Sequence, residues 1–120
     1  MHVRHGRDVS WGCWFLSETV LERGGTDEGA TLLVRCAATI VTTCVREPSS
    51  ADYRSDVGKL VPAACEVLVE ITRAEMAESV RRDALVRLQP VLEASPDNLA
   101  LGEVLRRLRA IEVASARQPD

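Results

Sequence analysis

The strongest constraint on the fold is an apolar pattern of helical period that extends from Leu60 to Val91. Its apolar members recur every three or four positions, at Leu60, Ala64, Val67, Ile71, Ala74, Ala77, Val80, Ala84, Leu88 and Val91. This spacing places them along one face of an α-helix. Because the pattern is longer than most globular helices, we predict a break between Thr72 and Ser79 that divides it into two core helices.

Two glycines predict the boundary between the first two helices. Gly24 and Gly25 permit left-handed backbone conformations, so we place the first helix at residues 9–23. Its apolar residues at helical spacing are Trp11, Trp14, Phe15 and Leu21. Thr26 or Asp27 can cap the second helix, which therefore begins there.

Prolines predict the remaining boundaries. The second helix ends before Pro48, although the β-branched residues of segment 39–45 leave a strand as the competing interpretation. Pro62 fits a first helical turn, or a kink after a short preceding helix. Ser95 followed by Pro96 fits a cap and a first helical position, and predicts a final helix that ends near residue 116.

Charge placement supports the same helical interpretation. Acidic residues precede arginines by four positions in the pairs Glu78 and Arg82, Asp83 and Arg87, and Glu103 and Arg107. The chain also lacks the N-G and D-G dipeptides of tight hairpins. We therefore predict an all-α, single-domain antiparallel helical bundle of four to six helices over residues 9–116, between a flexible N-terminal arm at 1–8 and a flexible tail at 117–120. No sequence repeat suggests a solenoid.

The cysteines indicate a core role and a reducing compartment. Cys13, Cys36, Cys44 and Cys65 are too widely spaced for the close pairs of zinc or redox sites. Free cysteine is among the residue types most often buried, so we expect reduced core thiols, no metal, no cofactor and a cytoplasmic location. We expect no membrane span, because charges interrupt every long apolar window.

The chain carries no recognisable catalytic motif. It contains no G-x-G-x-x-G, P-loop, H-E-x-x-H or G-x-S-x-G sequence, so we expect no catalytic residues and a protein that is not an enzyme. A ligand-binding bundle lined by Cys36, Cys44, Cys65 and Met76 is a weaker possibility. Lys59 is the single lysine among many arginines, which suggests a bacterium with GC-rich coding.

An aromatic cluster is the leading candidate for an interaction site. Trp11, Trp14 and Phe15, followed by Leu16, bring three of the four aromatic residues of the chain into one short segment. Such a cluster is either a core anchor or an exposed contact site for a partner. We therefore predict a small protein that acts through protein-protein contacts, as a homodimer or as an accessory or regulatory subunit.

Basic residues near the C-terminus provide the alternative function. Arg81, Arg82, Arg106, Arg107 and Arg109 could form a basic surface on the last two helices. A helix-turn-helix around Ser95 and Pro96 would then make the protein a DNA-binding transcriptional regulator. Interspersed acids and a net charge of -3 argue against strong attraction to nucleic acid, so this interpretation ranks second.

Overall fold

The protein consists of helices throughout the part of the chain that the structure describes. This computed structural model describes the backbone of residues 2–116 and the side chains of residues 7–111. The helices are α1 (His2–Glu22), α2 (Thr26–Arg46), α3 (Ala51–Glu70), α4 (Ala74–Ala94) and α5 (Leu99–Ala116). The predicted all-α bundle is therefore confirmed. Residues 117–120 of the predicted tail lie outside the described residues.

The hairpin of α1 and α2 follows the predicted glycine boundary but starts earlier. Helix α1 begins at His2 and not near Val9, while the flexibility of residues 1–8 stays a prediction. Gly24 has a φ of 86°, which is the left-handed conformation expected at a helix end. Thr26 is already helical, and Gly25 precedes it without a side-chain cap.

The β-branched segment of α2 is helical, so the strand interpretation was wrong. Thr42 and Thr43 donate their hydroxyl hydrogen bonds to the carbonyl oxygens of Ala38 and Thr39 on the preceding turn, at 3.0 and 2.9 Å. These bonds satisfy the hydroxyls within the helix, and burial against neighbouring helices outweighs the modest propensity penalty of β-branched residues.

Helix α3 runs through Pro62, which neither begins a helix nor divides one. Ser50 caps the start of α3 by accepting a hydrogen bond from the Tyr53 amide at 3.3 Å. Because proline has no amide hydrogen, Pro62 leaves the carbonyl of Gly58 without its usual helical donor. Arg107 of α5 supplies that donor at 3.2 Å. An inter-helix hydrogen bond thus compensates for the proline.

The long apolar pattern breaks after α3, at residues 71–73. This break lies at the N-terminal edge of the interval predicted for it, between Thr72 and Ser79. Thr72 takes the left-handed conformation with φ 62°, and the Arg73 amide donates back to the Leu68 carbonyl at 2.7 Å. Helix α4 then continues through Pro90. At the next boundary, Asn98 caps α5 by accepting from the Leu101 amide at 3.2 Å, so the predicted cap at Ser95 was three residues early.

The five helices alternate between two layers. Helices α1, α3 and α5 form one layer and α2 and α4 form the other, because each helix contacts its neighbours one and two places along the chain. The Cα atoms span 40 × 36 × 15 Å, which is a flat slab. Corresponding helices start 48 or 49 residues apart, as in stacked helical hairpins. Helices α1 and α5 therefore lie at opposite edges.

An apolar core joins the two layers, with one buried ion pair at the α1 edge. Leu33, Leu60 and Leu105 are each at most 1% exposed. Asp56 of α3 is only 2% exposed and accepts a hydrogen bond from Arg7 Nε at 2.5 Å. This hydrogen bond and the Asp56 charge raise the pKa of Arg7 above its ordinary value. The pair links α1 to the centre of the bundle.

Helix α2 is, in the described part of the chain, the one helix long and apolar enough to cross a membrane by length and composition. This finding qualifies the expectation that charges interrupt every apolar window long enough to span a membrane. Half of its most apolar window is buried inside the fold against α1, α3 and α4. The core helix of a soluble protein has the same composition and the same burial.

Candidate functional site

The face of α1 that packs into the fold is made of small residues. Ser10, Cys13, Ser17 and Val20 are buried and follow one another at helical spacing. Ser17 donates its hydroxyl to the Trp14 carbonyl at 2.6 Å, which satisfies it within the helix. Small side chains allow two helix backbones to approach closely. The centre of the buried face of α1 is therefore formed by small residues and not by the aromatic cluster.

The large side chains of α1 lie on or beside its solvent-facing side. Phe15 is 59% exposed and Leu16 is 51% exposed. Trp11 and Trp14 are partly buried and pack against the core, and the Trp11 and Phe15 ring centroids are 5.9 Å apart. Of the four predicted contact residues, Phe15 and Leu16 are therefore exposed to a partner. Trp11 and Trp14 lie at the border between the exposed and the buried sides of α1.

Six further exposed residues share this side of α1. At 100° per residue, the polar and small residues fall within about 160° of arc together with the exposed apolar pair. We call the set Asp8, Gly12, Phe15, Leu16, Glu18, Thr19, Glu22 and Arg23 the α1 outer surface. The sequence analysis missed the six polar and small members. Their spacing relative to the apolar pair was the signal that could have identified them.

Gly12 is unexplained by the packing of the single chain. A Cβ atom at Gly12 would meet nothing within 4 Å, and its backbone is ordinary helix. A glycine inside a helix costs roughly 0.5–1 kcal/mol relative to alanine. No internal contact therefore requires a glycine at this exposed position, which lies one turn before the exposed apolar pair.

The two predicted arginines of α4 are held by one carboxylate. Arg81 is 2% exposed and hydrogen-bonded to Glu78, and Arg82 donates from Nε to the same carboxylate at 2.9 Å. The Arg81 hydrogen bond is the main reason that the pKa of Glu78 lies below its ordinary value. The burial of Arg81 weighs against a phosphate contact by that side chain.

The three predicted arginines of α5 also donate to acceptors within the fold. Arg106 bonds Glu103, Arg107 bonds the Gly58 carbonyl, and Arg109 donates to Gln89 Oε1 at 2.6 Å. The predicted pair of Glu103 with Arg107 is therefore replaced by Glu103 with Arg106, because Arg107 serves the carbonyl exposed by Pro62. The Arg106 hydrogen bond lowers the pKa of Glu103.

The cysteines are part of the core, as predicted. All four are buried free thiols, and Cys65 donates to the Ala77 carbonyl at 3.6 Å. Burial raises the pKa of Cys36 and of Cys65 to about 12, so both are protonated at neutral pH. A protonated, buried thiol is a poor nucleophile and a poor metal ligand. No cluster of three metal-ligating side chains occurs among the described residues.

A shallow groove of about 260 Å³ lies between α2 and α4. Its walls include Val34, Val41 and Val80, together with the charged residues Asp83 and Arg87. Arg87 also donates to Thr42 Oγ1 at 2.5 Å. The cysteines and Met76, which the sequence suggested as a ligand-binding lining, are not among the groove residues.

Comparisons of the chain with protein-family models, with curated proteins and with solved structures found no match.

Proposed function

We propose that this chain is a non-enzymatic helical protein that acts through protein contacts made by the α1 outer surface and by Trp11 and Trp14 at its border. One observation carries the proposal: three of the four aromatic residues stand on α1, and none of the three is fully buried. Trp11, Trp14 and Phe15 are the side-chain types that dominate binding energy at protein interfaces. The buried apolar residues of the described core are Leu, Val, Ala, Cys and Ile40, and Trp11 and Trp14 pack against them only in part.

The edge position of α1 supports this proposal. Within the described residues, α1 contacts only α2 and α3, so its outer side is free of other helices. In stacked helical hairpins, the terminal elements normally carry a polar outer face. Beyond its first residue, Leu99, which is 83% exposed, the exposed residues of α5 at the opposite edge include Glu103, Arg106 and Arg109 and follow that rule. The apolar centre of the α1 outer surface departs from it.

The protein would act as a homodimer or as an accessory or regulatory subunit, in the cytoplasm of a bacterium. The alternative is a DNA-binding regulator that uses Arg82, Arg106, Arg107 and Arg109, with Arg81 excluded from direct contact by its burial. Internal hydrogen bonds to all of these side chains, and the nearby acids Glu78 and Glu103, weaken that alternative.

A tagged pull-down from the source cell, with and without nuclease, separates the two functions. The proposal predicts a stoichiometric protein partner, or the untagged chain itself, that is retained after nuclease treatment. Loss of all partners on nuclease treatment would instead support DNA binding. In that case binding to duplex DNA should weaken steeply with salt and on Arg106→Ala with Arg107→Ala.

A further inference from the structure

Exposed acids gather at one end of the bundle, where α1 and α3 end and α2 and α4 begin. Arg73 after α3 donates to the Asp27 carboxylate of α2 at 2.6 Å, so the two turns of this end are adjacent. Segments 18–28 and 66–75 contain seven acids and two arginines, a net charge of -5, whereas the whole chain carries -3. The seven acids are all exposed, and we call them the acidic end: Glu18, Glu22, Asp27, Glu28, Glu66, Glu70 and Glu75.

Two pairs of these acids oppose the electrostatics of their own helices. Glu18 and Glu22 are four residues apart near the end of α1, and Glu66 and Glu70 are four apart near the end of α3. Like charges at this spacing repel, and a helix C-terminus favours bases. Neither helix has a base in its last turn, and none of the four glutamates forms an ion pair with a described residue. Arg23, directly after α1, lies about 100° or more around the helix from Glu18 and Glu22.

The two glutamate pairs lie at the same level along two parallel helices. The second pair follows the first by 48 residues, and Arg7 of α1 contacts Asp56 of α3 at a separation of 49 residues. Short turns reverse the chain twice between α1 and α3, so both helices end on the same side of the bundle. Along the four helices, bases resume about two turns away from this end, at Arg35, Lys59 and Arg82.

We propose that the acidic end and the adjoining α1 outer surface bind a basic amphipathic helix of a partner protein. This inference rests on the proposed function and names the chemistry of the partner. Glu18 and Glu22 belong to both surfaces, and at 100° per residue they lie within about 60° of arc together with Trp11 and Phe15. From Trp11 to Glu22 this stripe extends about 17 Å along α1, which is three turns of a partner helix.

The stripe offers a different contact to each side of such a helix. The exposed ring of Phe15 and the partly buried ring of Trp11 would receive its apolar side chains. Glu18 and Glu22 would pair with lysine or arginine side chains of the partner. A cation placed between a carboxylate and a ring is attracted by both groups. Such a partner would also offset the repulsion within the glutamate pairs.

Charge distinguishes this partner from other occupants. A second copy that presented the same surface would add its own acids, and like charges across a contact are unfavourable. Nucleic acids and anionic lipids carry phosphates, which the glutamates repel. A metal ion fits poorly, because the described residues include no group of three side chains placed to hold one. The surface therefore favours a protein segment that supplies both cations and apolar side chains.

A designed peptide tests this chemistry on the full chain. The probe is a fluorescently labelled peptide of leucine and lysine at helical spacing, about five turns long, and binding is measured by anisotropy. We expect binding that weakens as salt rises from about 0.01 M to about 0.15 M, over which the Debye length falls from about 30 to about 8 Å. The same peptide with glutamate in place of lysine should not bind. Equal binding of both peptides would overturn the proposal.

Paired substitutions test where the basic peptide binds. Glu18→Gln with Glu22→Gln should raise its dissociation constant about three- to tenfold, because two exposed ion pairs are lost. Glu47→Gln with Glu93→Gln is the matched control, since it removes the same charge from exposed positions at the opposite end of the bundle. The control should leave the dissociation constant unchanged. Equal weakening by both pairs would indicate diffuse attraction and overturn the proposal, as would no effect of the α1 pair.

Failure of this inference is distinguishable from failure of the proposed function. The wild-type chain could fail to bind the basic peptide and yet retain a protein that Phe15→Glu with Leu16→Glu releases. The proposed function would then stand, and the basic chemistry of the partner would be overturned. A released protein that proved to be a second copy of this chain would overturn it in the same way.

Discussion

Substituting Phe15 distinguishes a contact residue from a core anchor. Phe15 is 59% exposed, so about two-fifths of its surface is buried in the single chain. Full burial of such a side chain contributes roughly 1.5–3 kcal/mol, and two-fifths of that is about 1 kcal/mol. The ring contact with Trp11 adds about 0.5 kcal/mol, and the better helix propensity of alanine offsets about the same amount. We therefore expect Phe15→Ala to lower the free energy of unfolding of the monomer by about 1 kcal/mol.

The assay is urea denaturation at submicromolar concentration, followed by the fluorescence of the two tryptophans, both of which lie on α1. Leu33→Ala on α2 is the matched control, because Leu33 is 1% exposed and its truncation leaves a cavity. That change should lower the free energy of unfolding by about 3 kcal/mol. A loss above about 2 kcal/mol for Phe15→Ala would show that this residue anchors the core, and would refute the reasoning.

Three further predictions concern other parts of the fold. Arg7→Ala leaves the buried Asp56 carboxylate unpaired and should lower the free energy of unfolding by about 1–2 kcal/mol, a reduced value because Arg7 is 39% exposed; Arg7→Ala with Asp56→Asn should cost less than the sum of the two single changes. Because their pKa values are raised, the thiols of Cys36 and Cys65 bind protons more tightly in the folded state than in the unfolded state. Their contribution to the free energy of unfolding is therefore full below pH 9.0 and is lost as the pH rises towards about 12. Urea titrations should therefore show a fall of about 1 kcal/mol per thiol over the first pH unit above 9.0, reduced in Cys65→Ala. Gly12→Ala should raise the free energy of unfolding of the monomer by about 0.5–1 kcal/mol, because alanine has the better helix propensity and its Cβ meets no neighbour; a lower melting temperature would show that the glycine is needed within the chain.

Periodicity was sufficient to predict the fold class, because every long apolar pattern of this chain has a helical period. Local boundary signals were less reliable. Ser95 followed by Pro96 matches a helix start, yet Asn98 is the cap. Pro62 reads as a boundary, but a hydrogen bond from Arg107 of another helix satisfies the carbonyl it exposes. That compensation depends on tertiary contact, which a local sequence window does not contain.

The two-layer arrangement could not be predicted either. Helices of similar length recur every 48 or 49 residues in the structure, but no sequence repeat accompanies them. For the candidate site, the aromatic cluster was recognised, but the small residues at the centre of the buried face of α1 were not. Hydrophobicity alone favours Trp11, Trp14 and Phe15 for the core. The close packing of α1 on α2 instead selects small residues such as Ser10 and Ser17. Phe15 and Leu16 are left at the surface, with Trp11 and Trp14 partly buried beside them.

The most direct test of the central claim compares two surface variants in the same nuclease-treated pull-down. Phe15→Glu with Leu16→Glu disrupts the α1 outer surface, whereas Val86→Glu changes an apolar side chain that is 72% exposed on α4. Circular dichroism first verifies that both variants fold. We predict that the α1 variant loses the retained protein, whether another chain or this one, and that Val86→Glu keeps it. Equal retention by both variants would contradict the assignment of the contact to α1.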